Sequence, residues 1–382
     1  MHSRLSAAYF FYFASLGVFV PYWAPYLASL GYGSQAIGQL IAIAMGTKIF
    51  APYVWGWIAD HTGHRTALIR IASALSVLAF AGLWWGDGFT WLAIIMAAYS
   101  FFWNAVLPQF ETATMNYVKD DHGLYSHIRL WGSVGFILTA VALGWWQESY
   151  GVEFIALFML LMLLGVALIS LLVRDHSPEH SNVGASIIPI LKKPYVAAFF
   201  IACFLIQLSH GSYYTFFSIY LEQANYSKTV VGLLWGLGVV AEVLVFAFMR
   251  SFMQHCGIYG MLVISMALTS LRWVLIAYCV ESVPVLLFAQ LLHAASFGIF
   301  HAASIVIVHQ VFTGRLQGRG QALYSSMSFG AGGAVGALLS GYLWQAYGGE
   351  FTYLVSAAIA GLGVLVVVLG MGFLRRRPQA QW

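Results

Sequence analysis

Charged side chains are scarce in this sequence. Asp, Glu, Lys and Arg make up 8% of its 382 residues, whereas soluble domains carry about 25%. So little charge excludes a soluble globular domain. Hydrophobic residues account for 61% of the chain and aromatic residues for 16%. The composition therefore indicates an integral membrane protein.

Cysteine is also rare, and recognisable catalytic motifs are absent from the sequence. Cys203, Cys256 and Cys279 lie in or beside apolar runs and lack the spacing of a metal or redox site. The sequence has no glycine-rich phosphate loop, no close set of metal ligands and no acid–base–nucleophile constellation. We therefore expect no metal, no cofactor and no enzymatic activity.

Long apolar runs are what the sequence has in abundance. A helix needs about 20 apolar residues to cross a bilayer. The runs predict twelve transmembrane helices in an all-α membrane protein. They lie near residues 5–30, 35–58, 66–86, 90–117, 125–146, 152–173, 194–220, 228–252, 259–280, 283–311, 319–346 and 350–373.

Lys and Arg gather on one side of these predicted helices. Lys228 alone lies on the other side. By the positive-inside rule, both termini are expected to be cytoplasmic in a multi-pass protein of the inner membrane. The net charge of +4 is thus a topology signal, and no nucleic-acid partner is expected. The cations on the cytoplasmic side are Arg4, Arg65, Arg70, Lys119, Arg174, Lys192, Lys193, Arg250, Arg315, Arg319, Arg375, Arg376 and Arg377.

The two halves of the chain repeat each other. An offset of 194 aligns residues 15–40 with 209–234 without a gap, and seven of the 26 positions are identical, among them Ser15 with Ser209 and Gly17 with Gly211. We predict two pseudo-symmetric six-helix bundles, 1–173 and 194–382, joined by a cytoplasmic linker, 174–193.

A small polar stretch interrupts the apolar sequence. Residues 56–65, GWIADHTGHR, resemble the major facilitator signature G-x-x-x-D-R/K-x-G-R/K-R/K, with His61 and His64 where that family usually has Arg or Lys. In that family the loop forms a charge relay with a helix of the second half in one conformation and releases it in the other. The alternative is a solvated loop whose charges only set topology. The resemblance implies a major facilitator fold and a conformational latch of Gly56, Asp60, Gly63 and Arg65.

Five ionisable residues fall inside predicted transmembrane helices. An ionised side chain at the bilayer centre costs about 2.5–3.5 kcal/mol, so each is a functional candidate. Lys48 and Glu242 correspond under the offset of 194, and we expect both to face one central cavity. The five are Lys48, Glu111, Arg129, Glu242 and Arg272.

Glu111 and Arg129 stand 18 residues apart across a predicted short turn, so they are expected at similar depth. They bind substrate on one interpretation, and on the other they form a structural ion pair. The segments FETATMNYV and SHIRLWGSVGF around them resemble the lactose permease group of proton symporters. In that group a Glu and an Arg at this spacing hold the substrate.

The second half resembles the same group in Glu242, Arg272 and His293. It departs from the group at Ser296 and Gln290, where lactose permease carries a Glu used in proton transfer and a Lys. The proton circuit of that group therefore does not carry over intact.

The chain is also similar, over nearly its whole length, to the phenylpropionate permease branch, in FFYFASLGVFVPYWAPYL, WGWIAD and IRLWGSVGF. This resemblance implies proton-coupled import of an aromatic carboxylate by alternating access. Three buried cations against two acids agree with an anionic substrate. The alternatives are a sugar or nucleoside symporter and an exporter of drugs or metabolites. We expect the protein to be a monomer. Its expected partners are protons, a small solute and membrane lipid.

These expectations assign roles to nine residues. Aromatic rings supply apolar walls on one reading and ordinary packing on the other. His293 carries protons or is a neutral core histidine, and Arg272 faces the cavity or snorkels to the surface. The predicted substrate-binding residues are Lys48, Glu111, Arg129, Arg272, Tyr22, Tyr26 and Tyr213, and the predicted proton-coupling residues are Glu242 and His293.

Overall fold

The computed structural model describes residues 1–119, 121–173 and 186–372, and within them the chain is helical, without strands. Eleven helical segments are long and apolar enough to cross a membrane. The predicted all-α class is confirmed. Helices α1 to α10 are His2–Ser29, Ser34–Thr62, Arg65–Trp84, Gly88–Val118, Gly123–Tyr150, Ile155–Leu172, Pro194–Gln223, Lys228–Ala247, Met249–Cys279 and Val283–Val311.

The eleventh segment, Gln317–Met371, is too long for a single crossing. Its 55 residues would extend about 80 Å as one helix, far more than the thickness of the hydrocarbon core, about 30 Å. Gly348, with φ 79° and ψ −177°, takes the backbone out of the helix. The segment therefore makes two crossings, α11 (317–347) and α12 (349–371), which agrees with the predicted twelve helices.

Contacts divide the chain into two compact units. The first comprises Met1–Ser181 and Asn225–Gly236, and the second Asn182–Ala224 and Leu237–Trp382. The division at a cytoplasmic linker stays a prediction, and residues 174–185 of that linker lie outside the described residues. The predicted cytoplasmic cations Arg174, Arg375, Arg376 and Arg377 also lie outside them.

Each unit has a dense core of its own. Aromatic rings dominate the first, where Trp23 contacts Phe80 and Phe19 contacts Trp103. Aliphatic and aromatic side chains from α7, α9, α10 and α12 share the second, among them Phe199, Met266, Ile307 and Val367.

Close helix contacts occur at corresponding glycines of the repeat. A Cβ added to Gly17 of α1 would come 2.8 Å from the carbonyl oxygen of Phe136 in α5. A Cβ added to Gly211 of α7 would come 2.1 Å from the carbonyl carbon of Gly336 in α11. Real Cβ atoms do not approach so closely, so these contacts require glycine.

Each unit also has a buried serine–tryptophan hydrogen bond at a serine of the repeat. The indole N–H of Trp103 donates to the Ser15 hydroxyl over 3.1 Å, and that of Trp273 donates to the Ser209 hydroxyl over 3.2 Å. Both serines are fully buried, and each donates its own proton to the carbonyl three residues earlier. The two serines are related by the offset of 194, whereas the tryptophans lie 170 residues apart, in α4 and in α9.

Helices α2, α7, α10 and α11 are among those that depart from regular α geometry. A 3₁₀ turn, Thr47–Ile49, interrupts α2, and α7 is divided at His210. The π-helices Ala294–Ile299 and Ser326–Gly332 lie in α10 and α11. Such interruptions occur frequently at functional sites.

The serine–tryptophan bonds generate a stability prediction. Ser15→Ala or Ser209→Ala leaves a buried indole N–H without its acceptor, which costs about 1–3 kcal/mol. We expect both variants to lower the thermal unfolding midpoint of the detergent-purified protein. Ser265→Ala is the matched control, because the buried Ser265 hydroxyl donates to carbonyls of its own helix. Equal midpoints for the three variants would contradict the assigned role of the indole bonds.

Candidate functional site

In the first unit, Lys48 lies on the 3₁₀ turn of α2 and is half-buried. Asn104 of α4 donates to the Thr47 hydroxyl over 2.8 Å and to the Ala44 carbonyl over 3.2 Å. The Ser100 hydroxyl lies 3.0 Å from that of Thr47. This polar network fixes the turn that carries Lys48. Sequence reasoning missed Asn104, whose signal was an amide inside an apolar helix.

Glu111 of α4 and Arg129 of α5 are both half-buried in the first unit. The charge of Arg129 acts on Glu111, but among the described residues the two side chains make no ion pair within 4.0 Å. Instead, the Arg129 guanidinium lies 4.1 Å from the centre of the Phe13 ring and 5.6 Å from that of Tyr9. Cation–π contact therefore holds this arginine.

The predicted tyrosines of α1 are part of the packing of the first unit. Tyr22 is fully buried, and its hydroxyl donates to the carbonyl of Ala140 in α5. The Tyr26 ring lies 5.1 Å from that of Trp23, centre to centre. Their role in substrate binding stays a prediction.

Arg272 is the centre of a polar cluster in the second unit. It is 0% exposed, so the snorkelling alternative does not apply. Its Nη2 donates to Gln290 Oε1 over 2.7 Å, and its Nη1 lies 3.1 Å from His293 Nδ1 and 3.1 Å from the Ser296 hydroxyl. All three partners come from α10. Each accepts a hydrogen bond from Arg272, and none neutralises its charge.

Aromatic rings cover the same guanidinium. Its central carbon lies 4.2 Å from the centre of the Tyr213 ring and 4.7 Å from that of Trp273. The Tyr213 hydroxyl lies 3.4 Å from Gln290 Oε1. Arginine stacks well on such rings because its guanidinium is planar and weakly hydrated. The predicted residues Arg272 and Tyr213 therefore lie together.

His293 connects Arg272 to Glu242. Its Nε2 lies 3.8 Å from Glu242 Oε2. Arginine has only donors, so Nδ1 of His293 accepts from Arg272 and the ring is a neutral imidazole with its proton on Nε2. That proton faces the carboxylate. The predicted coupling pair, Glu242 and His293, is thus in contact with the predicted substrate cation.

Two positions that sequence reasoning recorded only as departures from the lactose permease group belong to this cluster. Gln290 and Ser296 replace ionisable residues of that group, and both accept from Arg272. Their neutrality leaves Arg272 with no carboxylate oxygen within 4.0 Å in the described part of the chain.

His210 is a further buried group near Arg272, and sequence reasoning assigned it no functional role. It lies at the break in α7, and its ring centre is 4.9 Å from that of Trp273. Nδ1 lies 2.7 Å from the Ile206 carbonyl, which can only accept, so Nδ1 carries the proton. Nε2 has no hydrogen-bond partner among the residues that the structure describes.

The predicted latch residues lie at the end of α2. Arg65 Nη2 is 3.0 Å from Asp60 Oδ1, and Arg65 also donates to Gln109 of α4. Gly63 ends the helix with φ 70°, which glycine adopts without strain, and Gly56 lies within it. Asp60 and Arg65 are thus paired within the first unit, as part of a loop held to α4.

Comparison with known proteins decides the family. A model of the MFS_1 like family matches residues 2–355, which is most of the sequence. The chain belongs to the MFS_1 like family. The resemblance read from its motifs is confirmed.

Relatives of this MFS_1 like chain are transporters. A probable 3-phenylpropionic acid transporter of Escherichia coli (strain K12) is 30% identical over 371 residues, which cover 93% of this chain and 94% of that protein. A maltose permease of Geobacillus stearothermophilus is 26% identical, with 94% and 92% covered. The crystal structure of the nucleoside transporter NupG matches with a TM-score of 0.84 at 17% identity, covering 98% of this chain and 99% of that one. This MFS_1 like protein is therefore a multi-pass inner-membrane transporter and not an enzyme.

The contacts of this MFS_1 like chain predict opposite tautomers for two buried histidines. His293 carries its proton on Nε2 and His210 on Nδ1, because one faces a donor and the other an acceptor. Nitrogen NMR of histidine-labelled protein distinguishes the two forms. His293→Gln and His210→Gln assign the signals by loss, and exposed His255 serves as the reference. A charged imidazole at His293 in the unliganded protein would contradict the bond from Arg272.

Proposed function

We propose that this transporter is a proton symporter that imports a small aromatic carboxylate by alternating access, with both termini in the cytoplasm. The observation that carries the proposal is the environment of Arg272, a fully buried cation whose hydrogen-bond partners are neutral. A buried charge without a partner of opposite sign is costly. A substrate carboxylate supplies that partner, and a neutral sugar does not.

Charge balance couples the carboxylate to a proton. With Glu242 ionised and His293 neutral, the group formed with Arg272 has no net charge. Protonation of Glu242 leaves a charge of +1, which favours an anion. Arrival of the anion in turn favours protonated Glu242, because binding linkage is reciprocal. One proton and one anion therefore bind together with positive cooperativity.

His293 transmits this coupling. While Arg272 donates to Nδ1, that nitrogen cannot take a proton. A substrate carboxylate that accepts from Arg272 competes for the same N–H and releases Nδ1. His293 then becomes free to accept a proton and to pair, as a cation, with Glu242 at its other nitrogen. The substrate thus opens the route by which the proton reaches the acid.

An aromatic substrate agrees with the surroundings of Arg272 and with the relatives. Tyr213 and Trp273 flank the guanidinium with flat apolar faces. The E. coli relative at 30% identity is named a probable 3-phenylpropionic acid transporter. Lys48 and Arg129 of the first unit, with Glu111, Tyr22 and Tyr26, are proposed as further substrate residues.

The transport prediction separates binding from coupling. Glu242→Gln imitates the protonated acid, so the variant is expected to bind 3-phenylpropionate and to equilibrate it across the membrane. It is not expected to accumulate the compound when a pH gradient is imposed on proteoliposomes. Affinity of the parent should weaken as the pH rises, because deprotonated Glu242 removes the positive charge, and affinity of Glu242→Gln should not change. Glu350→Gln, an exposed acid, is the control.

A second variant tests the anion site. Arg272→Lys keeps the charge but loses the planar fork and its stacking, so we expect the affinity for carboxylates to fall by about tenfold or more. Accumulation of a sugar or nucleoside by the parent, with no dependence on a carboxylate, would overturn the substrate class. Retained uphill uptake by Glu242→Gln would overturn the coupling assignment.

The loop of Asp60 and Arg65 is proposed as the conformational latch of this cycle. Asp60 is 71% exposed, and an exposed ion pair contributes about 0–1 kcal/mol. We expect Asp60→Asn to leave the unfolding midpoint nearly unchanged while it slows 3-phenylpropionate uptake several-fold. Asp87→Asn, an exposed acid at the start of α4, is the control. Unchanged uptake in Asp60→Asn would assign these charges to topology alone.

A further inference from the structure

Three aromatic side chains of α10 form a column that begins at the Arg272 cluster. The ring centres of His293 and Phe297 are 5.8 Å apart with an angle of 10° between the planes. Those of Phe297 and His301 are 5.7 Å apart at 14°. The three rings are nearly parallel. The column therefore extends from His293 toward the Val311 end of the helix, the end predicted to be cytoplasmic.

The column passes through the π-helix Ala294–Ile299. In an α-helix, residues four apart are rotated by about 40° relative to each other, because a turn holds 3.6 residues. A π-helix bonds residue i to i+5, so each turn holds more residues. The offset between side chains four apart therefore differs here from that of a regular α-helix, and the three rings from His293 to His301 are nearly parallel.

At its far end the column meets a hydroxyl. His301 Nδ1 lies 3.0 Å from the Tyr324 hydroxyl of α11. The Tyr324 ring is buried and stacks on Phe199 at 6.4 Å, while His301 remains half-buried. The contact therefore joins a buried ring to a half-buried histidine.

The bonding partner distinguishes His301 from the buried histidines His293 and His210 of the second unit. His293 Nδ1 faces an arginine donor, which permits only a bare nitrogen there, and His210 Nδ1 faces a carbonyl acceptor, which requires a proton there. A tyrosine hydroxyl both donates and accepts. It can donate to the bare Nδ1 of neutral His301, and it can accept from the N–H of charged His301. The pair thus accommodates both protonation states without losing its hydrogen bond.

We propose that His301, paired with Tyr324, is a second proton-binding site of this transporter, and that Phe297 is the apolar gate between it and the Glu242–His293 pair. The proposal rests on the proton coupling proposed above. His293 as a cation gives up one proton, His301 takes up that proton, and the Tyr324 hydroxyl turns from donor to acceptor. Phe297 has no exchangeable proton, so transfer requires this ring to move or water to pass it.

Charged and titratable groups approach His301 from several elements. Phe300–Val311 packs on Met249–Cys279, Gln317–Ser325 and the π-helix Ala294–Ile299. Gln317–Ser325 contributes Tyr324 and, at an exposed position, Arg319. Met249–Cys279 contributes Arg272 at the His293 end of the column. From α7, the Cys203 thiol lies 4.0 Å from the Ser304 hydroxyl, and the Phe329 ring of the second π-helix lies 6.1 Å from that of His301.

The test compares two assays in proteoliposomes. Exchange is measured in vesicles loaded with 3-phenylpropionate, and pH-driven net uptake is measured in vesicles without it. Exchange of labelled for unlabelled compound needs no proton release, whereas net accumulation does. His301→Gln keeps an acceptor for the Tyr324 hydroxyl but cannot titrate. We expect it to lower pH-driven net uptake by at least about tenfold and to keep exchange within about twofold of the parent. His309→Gln, an exposed histidine of the same helix, is the matched control and is expected to retain both.

Tyr324→Phe supplies a second variant that keeps the buried ring. It removes the hydroxyl that serves both protonation states, so net uptake is expected to fall while exchange continues. Net uptake at the parental rate in His301→Gln would overturn the proposal, as would an equal loss of exchange and net uptake in both variants. If the parent itself shows no pH-driven accumulation, the proposed function fails. If Glu242→Gln loses accumulation and His301→Gln keeps it, only the second proton site fails.

Discussion

The burial of Arg272 among neutral partners is the constraint on which the second unit depends. A guanidinium taken out of water needs acceptors in the plane of its N–H groups and tolerates aromatic rings above and below that plane. Gln290, His293 and Ser296 meet the first need, and Tyr213 and Trp273 meet the second. None of these side chains carries a fixed negative charge. The hydrogen bonds of Arg272 are thus satisfied, but these partners do not neutralise its charge, which is the basis for the proposal that an anionic ligand or ionised Glu242 does so.

The two units share a framework but differ in their chemistry. Ser15 and Ser209, which accept from buried tryptophans, and the closely packed Gly17 and Gly211 are related by 194 residues. The same offset sets Lys48 against Glu242, a cation against an acid. Packing residues are therefore similar in the two halves, whereas the ionisable residues have diverged. A repeated scaffold needs its packing residues to bury the helices, whereas its ionisable residues can differ between the halves.

The sequence was sufficient for the helices and the family but not for the site. Length and hydropathy are local properties, so the apolar runs predicted the twelve crossings, and GWIADHTGHR predicted the family. Arg272 and Glu242 were predicted as functional because ions are costly in a bilayer, and His293 because of the resemblance to the lactose permease group. Their contacts were not, because these depend on which faces of α8, α9 and α10 meet. Gln290 and Ser296 appeared only as lost charges, although both bond Arg272.

Irregular backbone was not predicted from the sequence, yet it lies beside Lys48, His210 and His293. The 3₁₀ turn carries Lys48, the break in α7 carries His210, and the π-helix of α10 begins directly after His293. A bilayer offers no water to backbone groups freed from α-helical bonding, so such segments persist only where protein satisfies them. The side chains that do so, such as Asn104 on the Ala44 carbonyl, are polar and buried. Helix interruptions and ionisable groups therefore need the same kind of surroundings, which explains why they occur together. A polar core built to hold a broken helix is also the environment in which a buried charge is least costly.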